Sequence, residues 1–288
     1  MDTTTPGTTP AQPLAPIALF FVRFLDQVLA GVRARVTEER FDRATRTLVY
    51  FGHYALLAGA ALGLALGIVL AVRDDSLRGL LAGIGWVCLI LALQYTAVKF
   101  MSAGDALVAS TPNRLGSPAL LDCFALLNLV GAIVAVIWFA ILAGRFSNAN
   151  WLWLGVGTAG FCAGLLAVSV NPRCLNMTVA PNTTADEEAL SVVTFLTKAF
   201  LKIVPFCFGF WAIAGTVGLA VASVDILRGE APEASVFLAR STAAGLVFWA
   251  ALLPLFGYLV FLAYYLSIAV LRAVLAVPRK LDELRPPR

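Results

Sequence analysis

Histidine, cysteine and acidic side chains are the residues through which this chain could bind a metal or catalyse a reaction, and they are few. The chain has one histidine, His53, and five cysteines, Cys88, Cys123, Cys162, Cys174 and Cys207. An odd number of cysteines without a Cys-x-x-Cys spacing argues against both a zinc site and a disulfide framework. A single histidine excludes a metal centre built from several histidines. We therefore expect no metal site and no cofactor.

The sequence also lacks the motifs of common enzyme mechanisms. It contains no HExxH, GxSxG or P-loop motif and no GxGxxG motif at a strand–helix junction. Asp105, Asp122 and Asp186 fall in loops or at their edges, where helix capping explains them. No apolar stretch carries a charge near its middle, as a proton relay or an ion-coupled transporter would require. We expect neither an enzyme nor a nucleic-acid partner.

The composition places the chain in a lipid bilayer. Hydrophobic residues make up 60% of the 288 positions, charged residues 13%, and the mean hydropathy is +0.87. Soluble domains are about 45–50% apolar and about 25% charged. Since helices satisfy their own backbone hydrogen bonds in lipid, the sequence predicts an all-α integral membrane protein.

Six apolar stretches are long enough to cross a bilayer, which takes about 20 helical residues for a core of about 30 Å. The predicted spans are residues 48–72, 80–98, 119–143, 151–170, 204–224 and 242–266. Short polar connections group them into three helical hairpins. A seventh span is the alternative if Pro254 and Gly257 break the last apolar stretch.

Basic residues predict the orientation, because they concentrate on the cytoplasmic side of membrane proteins. With six spans, five of the 21 basic residues face one side: Arg73, Arg78, Arg145, Arg228 and Arg240. The remaining 16 lie on the side of both termini. We therefore expect both termini in the cytoplasm, with a plasma or inner membrane favoured over an organelle membrane.

Three segments outside the spans are expected on the cytoplasmic side. Residues 1–16, rich in Thr and Pro, predict a disordered tail, and residues 267–288 a basic, amphipathic C-terminal arm. Residues 17–47 combine an apolar stripe with arginines, which is typical of a helix lying on the inner leaflet. Packing of this helix on cytoplasmic protein is the alternative. The side chains expected to contact anionic lipids are Arg23, Arg33, Arg35, Lys198 and Lys202.

Glycines predict a packing seam on the first span. Gly59, Gly63 and Gly67 recur every four residues and therefore share one helix face, where another backbone can approach closely. Gly160 and Gly164 on the fourth span are a candidate mate. The spacing is compatible with packing inside one chain and with packing between chains.

Polar residues within the spans are His53, Gln94 and Asn128, and hydrogen bonding between helices is the role expected for them. A weak internal repeat is a further hypothesis. Residues 58–79 and 212–229 are both apolar and both end on Leu-Arg-Gly after an aspartate. Like-oriented repeats differ from the inverted repeats of many transporters.

These features favour a non-enzymatic membrane subunit that acts as a scaffold, an assembly component or a membrane-shaping protein. The bilayer, anionic lipids and other membrane chains, or further copies of this one, are the expected partners. An oligomeric pore lined by Gln94 and Asn128 is one alternative. A transporter of an apolar or lipid-like solute is the other, since such a solute needs no charged ligands.

Overall fold

The computed structural model describes residues 16–73, 75–146, 150–180, 185–228 and 233–283. Helices α1 to α7 have the bounds Pro16–Arg35, Glu38–Arg73, Leu77–Ser110, Pro118–Phe146, Asn150–Val170, Ala185–Arg228 and Glu233–Glu283. Two short strands, β1 (Asn113–Leu115) and β2 (Met177–Val179), pair in parallel, and a 3-10 helix covers Pro172–Leu175. The predicted all-α class is confirmed.

Six of these helices, α2 to α7, contain segments long and apolar enough to cross a bilayer. This agrees with the six predicted spans and fits a multi-pass membrane protein. Helix α7 runs through Pro254 and Gly257 without interruption, so its described residues contain no break that would create a seventh span. At about 1.5 Å per residue, α6 and α7 are longer than a core of about 30 Å, and they extend beyond it.

The N-terminal region is divided differently from the predicted segment 17–47. Helix α1 ends at Arg35, and α2 begins at Glu38 and continues through the first predicted span. The Oγ1 of Thr37 accepts a hydrogen bond from the backbone N–H of Arg40, 3.4 Å away, which caps the first turn of α2. Residues 38–47 therefore form one helix with the first span.

Helix α1 packs on the ends of α4 and α5. Leu29 is buried against Ala125 of α4 and Leu166 of α5. Closer to the N-terminus of α1, the side chains of Phe20, Val22 and Phe24 are exposed. The C-terminal half of α1 thus packs on helices of the same chain.

Helix α6 lies at the centre of the bundle, where it contacts α2, α3, α5 and α7. Helix α4 packs chiefly against α5, and few of its side chains are buried. An apolar cluster near the strands contains Leu115, Leu175, Phe195 and Phe261, and a second one near the middle of the helices contains Leu56, Ile90, Phe208 and Val247. The first cluster packs the connecting loops onto the helix ends. The second packs the helices against one another.

The predicted tail 1–16, apart from Pro16, lies outside the described residues, as do positions 284–288 of the C-terminal arm. The described part of that arm continues α7 as far as Glu283. The two Leu-Arg pairs of the predicted repeat occupy different places. Leu77 and Arg78 begin α3, whereas Leu227 and Arg228 end α6. The repeat stays a prediction.

Candidate functional site

Two loops meet at one end of the bundle and form a small polar structure that we call the loop platform. It consists of residues 109–117, residues 171–179 and the N-terminal part of α6, residues 188–198. Strands β1 and β2 pair within it, with Asn113 opposite Met177 and Leu115 opposite Val179. Consecutive spans α3 and α4, and likewise α5 and α6, are therefore linked through the same platform.

A buried lysine connects the two loops of the platform. Lys198 of α6 is completely buried, and its Nζ donates hydrogen bonds to the backbone carbonyl of Leu175, 3.0 Å away, and to that of Thr111. Burial of an ammonium group is costly unless hydrogen bonds replace its water. The two carbonyls belong to different loops, so this lysine fixes both loops to α6.

Further side chains complete the platform. Glu188 of α6 accepts the backbone N–H of Ser117, 2.9 Å from its Oε1, and that of Gly116, 2.5 Å from its Oε2. These groups immediately precede α4, where a carboxylate also interacts favourably with the helix dipole. Asn176 donates to the carbonyl of Ala109, and Asn171 to that of Val36, at 2.7 and 2.8 Å. The platform thus also reaches the turn between α1 and α2.

A cavity of about 380 Å³ opens beside the platform, between α2, α3 and α6. We call it the charged cleft. Its polar lining residues are Asp42, Thr45, Arg46, His53, Asp105 and Lys202. Val49, Val98, Met101 and Pro205 form its apolar wall. Ligand sites commonly combine an apolar wall with a few polar groups in volumes of roughly 300–1,000 Å³.

The charges of the cleft are paired loosely. The Nζ of Lys202 lies 3.4 Å from an Oδ1 of Asp42 and 3.9 Å from Oδ1 of Asp105. Charge-assisted hydrogen bonds are shorter, about 2.7–2.9 Å. Asp105 is largely exposed, whereas the side chain of Lys202 is mostly buried. The lysine therefore lies between two carboxylates without a tight bond to either.

Two buried polar atoms of the residues that line the cleft have no hydrogen-bond partner among the described residues: the Oγ1 of Thr45 and the Nδ1 of His53. Thr45 is only 9% exposed. A buried polar atom without a partner costs about 1–3 kcal/mol, so such atoms are rare and call for an explanation. The ring of His53 contacts that of Phe208 on α6, with centroids 4.9 Å apart.

The lysines occupy positions that the sequence did not predict. Lys198 is expected to contact anionic lipids, but its buried Nζ bonds two backbone carbonyls and cannot reach a headgroup. Lys202 faces the charged cleft, where two carboxylates compensate its charge. Of the arginines, Arg23 and Arg35 are exposed, and Arg33 pairs with Asp122 at the start of α4.

The glycine seam faces helices of the same chain. A Cβ at Gly67 would lie 2.6 Å from the carbonyl oxygen of Gly79 and 2.9 Å from the Cα of Gly83, so α2 and α3 touch backbone to backbone. A Cβ at Gly63 would collide with Trp86 of α3, and one at Gly59 would lie 3.2 Å from Thr216 of α6.

The prediction that Gly160 and Gly164 pack against this seam is wrong. Gly160 and Gly164 of α5 lie against Phe206 and Ile203 of α6 rather than against the glycines of α2. Helix α6 separates most of α5 from α2, and Gly79 and Gly83 supply the close approach instead.

Asn128 forms its described hydrogen bond within its own helix rather than between helices. The side-chain amide of Asn128 is buried and donates to the carbonyl of Phe124 in its own helix, 2.8 Å away. Gln94 is partly buried on α3. Bonds that do bridge helices here come from Thr216, whose Oγ1 donates to the carbonyl of Ala55, 2.8 Å away, and from Trp86, whose Nε1 donates to that of Gly59, 3.0 Å away.

Comparisons with protein-family models, with curated protein sequences and with solved structures give no match. The candidate site is therefore defined by its own geometry. In the described ranges no group of three or more His, Cys, Asp or Glu residues could hold a metal ion. Burial raises the pKa of the Cys174 thiol, in the platform, to about 12, which keeps it protonated and poorly nucleophilic.

Sequence reasoning missed the charged cleft as a unit, although two signals point to it. Asp42 and Arg46 are four residues apart at the entry to the first span, and Lys198 and Lys202 are four residues apart on an otherwise apolar helix. Residues at this spacing share a helix face. That these two faces oppose each other, with Asp105 between them, depends on how α2, α3 and α6 pack.

Proposed function

We propose that this protein is a non-enzymatic membrane scaffold or assembly subunit, organised as three helical hairpins with both termini in the cytoplasm. The observation that carries the proposal is the buried Lys198, which joins the loop after α3 and the loop after α5 to α6. Movement of the hairpins relative to one another would break these buried bonds. A fixed arrangement of helices suits a protein that presents a constant surface to partners.

The outer face of α4 supports the same proposal. This helix exposes Val130, Ile133, Val134, Ile137, Trp138 and Ile141. In a bilayer such a surface contacts lipid or another membrane chain, and because α4 is held mainly by α5, its opposite side is accessible along most of its length. We propose other membrane chains, or further copies of this one, as the partners on this face.

Purification in a mild detergent tests the proposal. We expect the chain to elute in a complex larger than its own mass of 30.6 kDa with bound detergent. Replacement of Ile137 and Trp138 by alanine should release partners without lowering the melting temperature, because both side chains are exposed. The matched control is a double alanine substitution at Leu77 and Leu81, exposed residues of α3.

Two results would contradict a scaffold. A purified chain that is free of partners and conducts ions in planar bilayers would favour the pore. A purified chain that moves fluorescent lipid between the leaflets of vesicles would favour the transporter of a lipid-like solute. The Lys198→Met variant is also measured in both assays. If conduction or lipid transfer requires the helices to move, loosening the loop platform should change its rate.

A further inference from the structure

We propose that the charged cleft binds the headgroup of a zwitterionic phospholipid whose amine is a primary ammonium, as in phosphatidylethanolamine. The proposal concerns the cleft alone and stands whether or not the protein is a scaffold. It goes beyond the contacts with anionic lipids that the arginines and lysines suggest from sequence. Four arguments lead to it.

The first argument is charge balance. Asp42 and Asp105 contribute two negative charges to the cleft, and Arg46 and Lys202 contribute two positive charges. An anion close to the two cations would also lie close to the carboxylates, and a simple cation would meet the reverse problem. A ligand with a phosphate and an ammonium separated by two carbons can place each charge beside its opposite.

The second argument is the loose pairing of Lys202. Its Nζ is 3.4 and 3.9 Å from the two carboxylate oxygens, so a phosphate oxygen can approach it without displacing a tight ion pair. The Nε of Arg46 donates to the backbone carbonyl of Asp42, 3.3 Å away, and Arg46 is an exposed residue of the cleft lining. Both cations line the same cavity, where each can attract a phosphate oxygen.

The third argument is the pair of buried polar atoms that line the cleft. The Oγ1 of Thr45, in a residue more than nine-tenths buried, and the Nδ1 of His53 have no partner within the described part of the chain. Both residues belong to the wall of the cleft. Both atoms are buried behind the surface of the cleft, so the side chains of Thr45 and His53 must turn toward the cavity to hydrogen-bond the phosphate and ester oxygens of a lipid.

The fourth argument is position. The cleft-lining residues Arg46, Asp105 and Lys202 flank the ends of three apolar spans, at the depth where headgroups lie. The apolar wall, which includes Val49, Val98 and Met101, continues toward the bilayer and can receive the start of the acyl chains. A phospholipid therefore enters the cleft without leaving its leaflet.

The lining also distinguishes a primary ammonium from a choline group. Quaternary ammonium groups cannot donate hydrogen bonds and are recognised by cages of aromatic rings. Among the described residues that line the cleft, the sole aromatic ring is that of His53. The carboxylates of Asp42 and Asp105 accept N–H donors, which a primary ammonium supplies and a choline lacks.

Lipid titration of the purified full-length protein in mild detergent tests the proposal. Dioleoyl phosphatidylethanolamine, phosphatidylcholine and phosphatidylglycerol are added separately, with native mass spectrometry and the melting temperature as readouts. We expect the ethanolamine lipid to bind at the lowest concentration and to raise the melting temperature most, because a ligand of the folded state stabilises it.

Two variants locate the binding site. Asp105→Asn removes one carboxylate at an exposed position, and Thr45→Val removes a buried hydroxyl with little change of shape. Each should weaken binding of the ethanolamine lipid by about tenfold, as expected for a lost hydrogen bond to a charged group. Thr158→Val is the matched control, since this threonine is exposed on α5 and bonds its own helix. If Thr45→Val does not fold, Asp105→Asn carries the test.

Three outcomes would overturn the proposal. Equal stabilisation by all three lipids would indicate nonspecific lipid contact. An unchanged lipid preference in Asp105→Asn would exclude the cleft. Soluble phosphoethanolamine that stabilises the protein as strongly as the lipid would identify a water-soluble zwitterion, and the assignment to a membrane lipid would be wrong.

Discussion

The Nζ of Lys198, in the N-terminal third of α6, lies 3.0 Å from the backbone carbonyl oxygen of Leu175, in the loop that follows α5. The same nitrogen bonds the carbonyl of Thr111, at the end of α3. A single buried side chain thus joins segments 64 residues apart along the sequence. A change in the conformation of either loop would disturb its hydrogen bond to Lys198.

Replacement of Lys198 by methionine should lower stability. Methionine fills a similar volume but leaves the carbonyls of Thr111 and Leu175 without a donor, at a cost of about 1–3 kcal/mol. The melting temperature in detergent, followed by circular dichroism, measures the effect. Lys99→Met is the control, because Lys99 is exposed above the ring of Tyr95 and should change stability by less than about 0.5 kcal/mol. Equal effects of the two substitutions would contradict a structural role for the buried ammonium.

The contact between α2 and α3 should tolerate no side chain at Gly67. An alanine there meets the backbone of Gly79 and Gly83, which cannot rotate away, so the helices must separate, at a cost of about 1–3 kcal/mol. Gly63→Ile should also lower the melting temperature, because Trp86 must move and lose its 3.0 Å hydrogen bond to the carbonyl of Gly59.

Gly85→Ala on α3 is the control for these glycine variants, since its Cβ would meet no atom within 4 Å. It should leave stability unchanged or raise it slightly. Size-exclusion chromatography should give the same oligomeric state for all three variants, because the seam is internal. Dissociation of Gly63→Ile into a smaller species would instead place the seam between chains.

The cap on α4 should respond to loss of the Glu188 carboxylate. Glu188→Gln keeps the size of the side chain but weakens the acceptor of the Gly116 and Ser117 amides, and about 0.5–2 kcal/mol of cap stability is expected to be lost. Faster amide hydrogen exchange at Gly116 and Ser117 is the specific readout. Glu39→Gln, at an exposed position in the first turn of α2, should leave this exchange unchanged.

The orientation can be tested with single cysteines in a background without the native ones. Labels at positions 33, 114 and 279 should react only from the cytoplasm, and labels at 74, 148 and 230 only from the opposite side, as the distribution of basic residues predicts. Positions 74, 148 and 230 lie outside the described residues. Labelling of position 148 that requires access to the cytoplasm would reverse the topology.

Local sequence was sufficient to predict six helices long and apolar enough to cross a bilayer. Apolar runs such as residues 119–143 are recognised without knowledge of their neighbours, because their transfer into lipid depends only on their own composition. The bounds were less predictable. Helix α2 begins at Glu38 rather than near residue 48, since polar residues continue a helix outside the membrane as readily as a loop.

The roles of polar residues were the weakest predictions, and Lys198 and Lys202 illustrate the reason. A lysine near a span end is expected to reach the headgroups, because its long side chain usually extends to water. Lys198 does the opposite, since the strands β1 and β2 bring two carbonyls to its Nζ. The sequence of residues 190–204 alone does not indicate that the carbonyls of Thr111 and Leu175 lie beside this lysine.

The sequence by itself determined that the chain is helical and apolar enough to cross a bilayer, because hydropathy and backbone hydrogen bonding act within each segment. The tertiary structure decided which helix meets which. It placed Gly67 against Gly83 rather than against Gly160, and Asp42 and Lys202 on opposite walls of one cleft. Those relationships arise from contacts between segments far apart in sequence, where many pairings of similar apolar helices are nearly equivalent until side chains are packed.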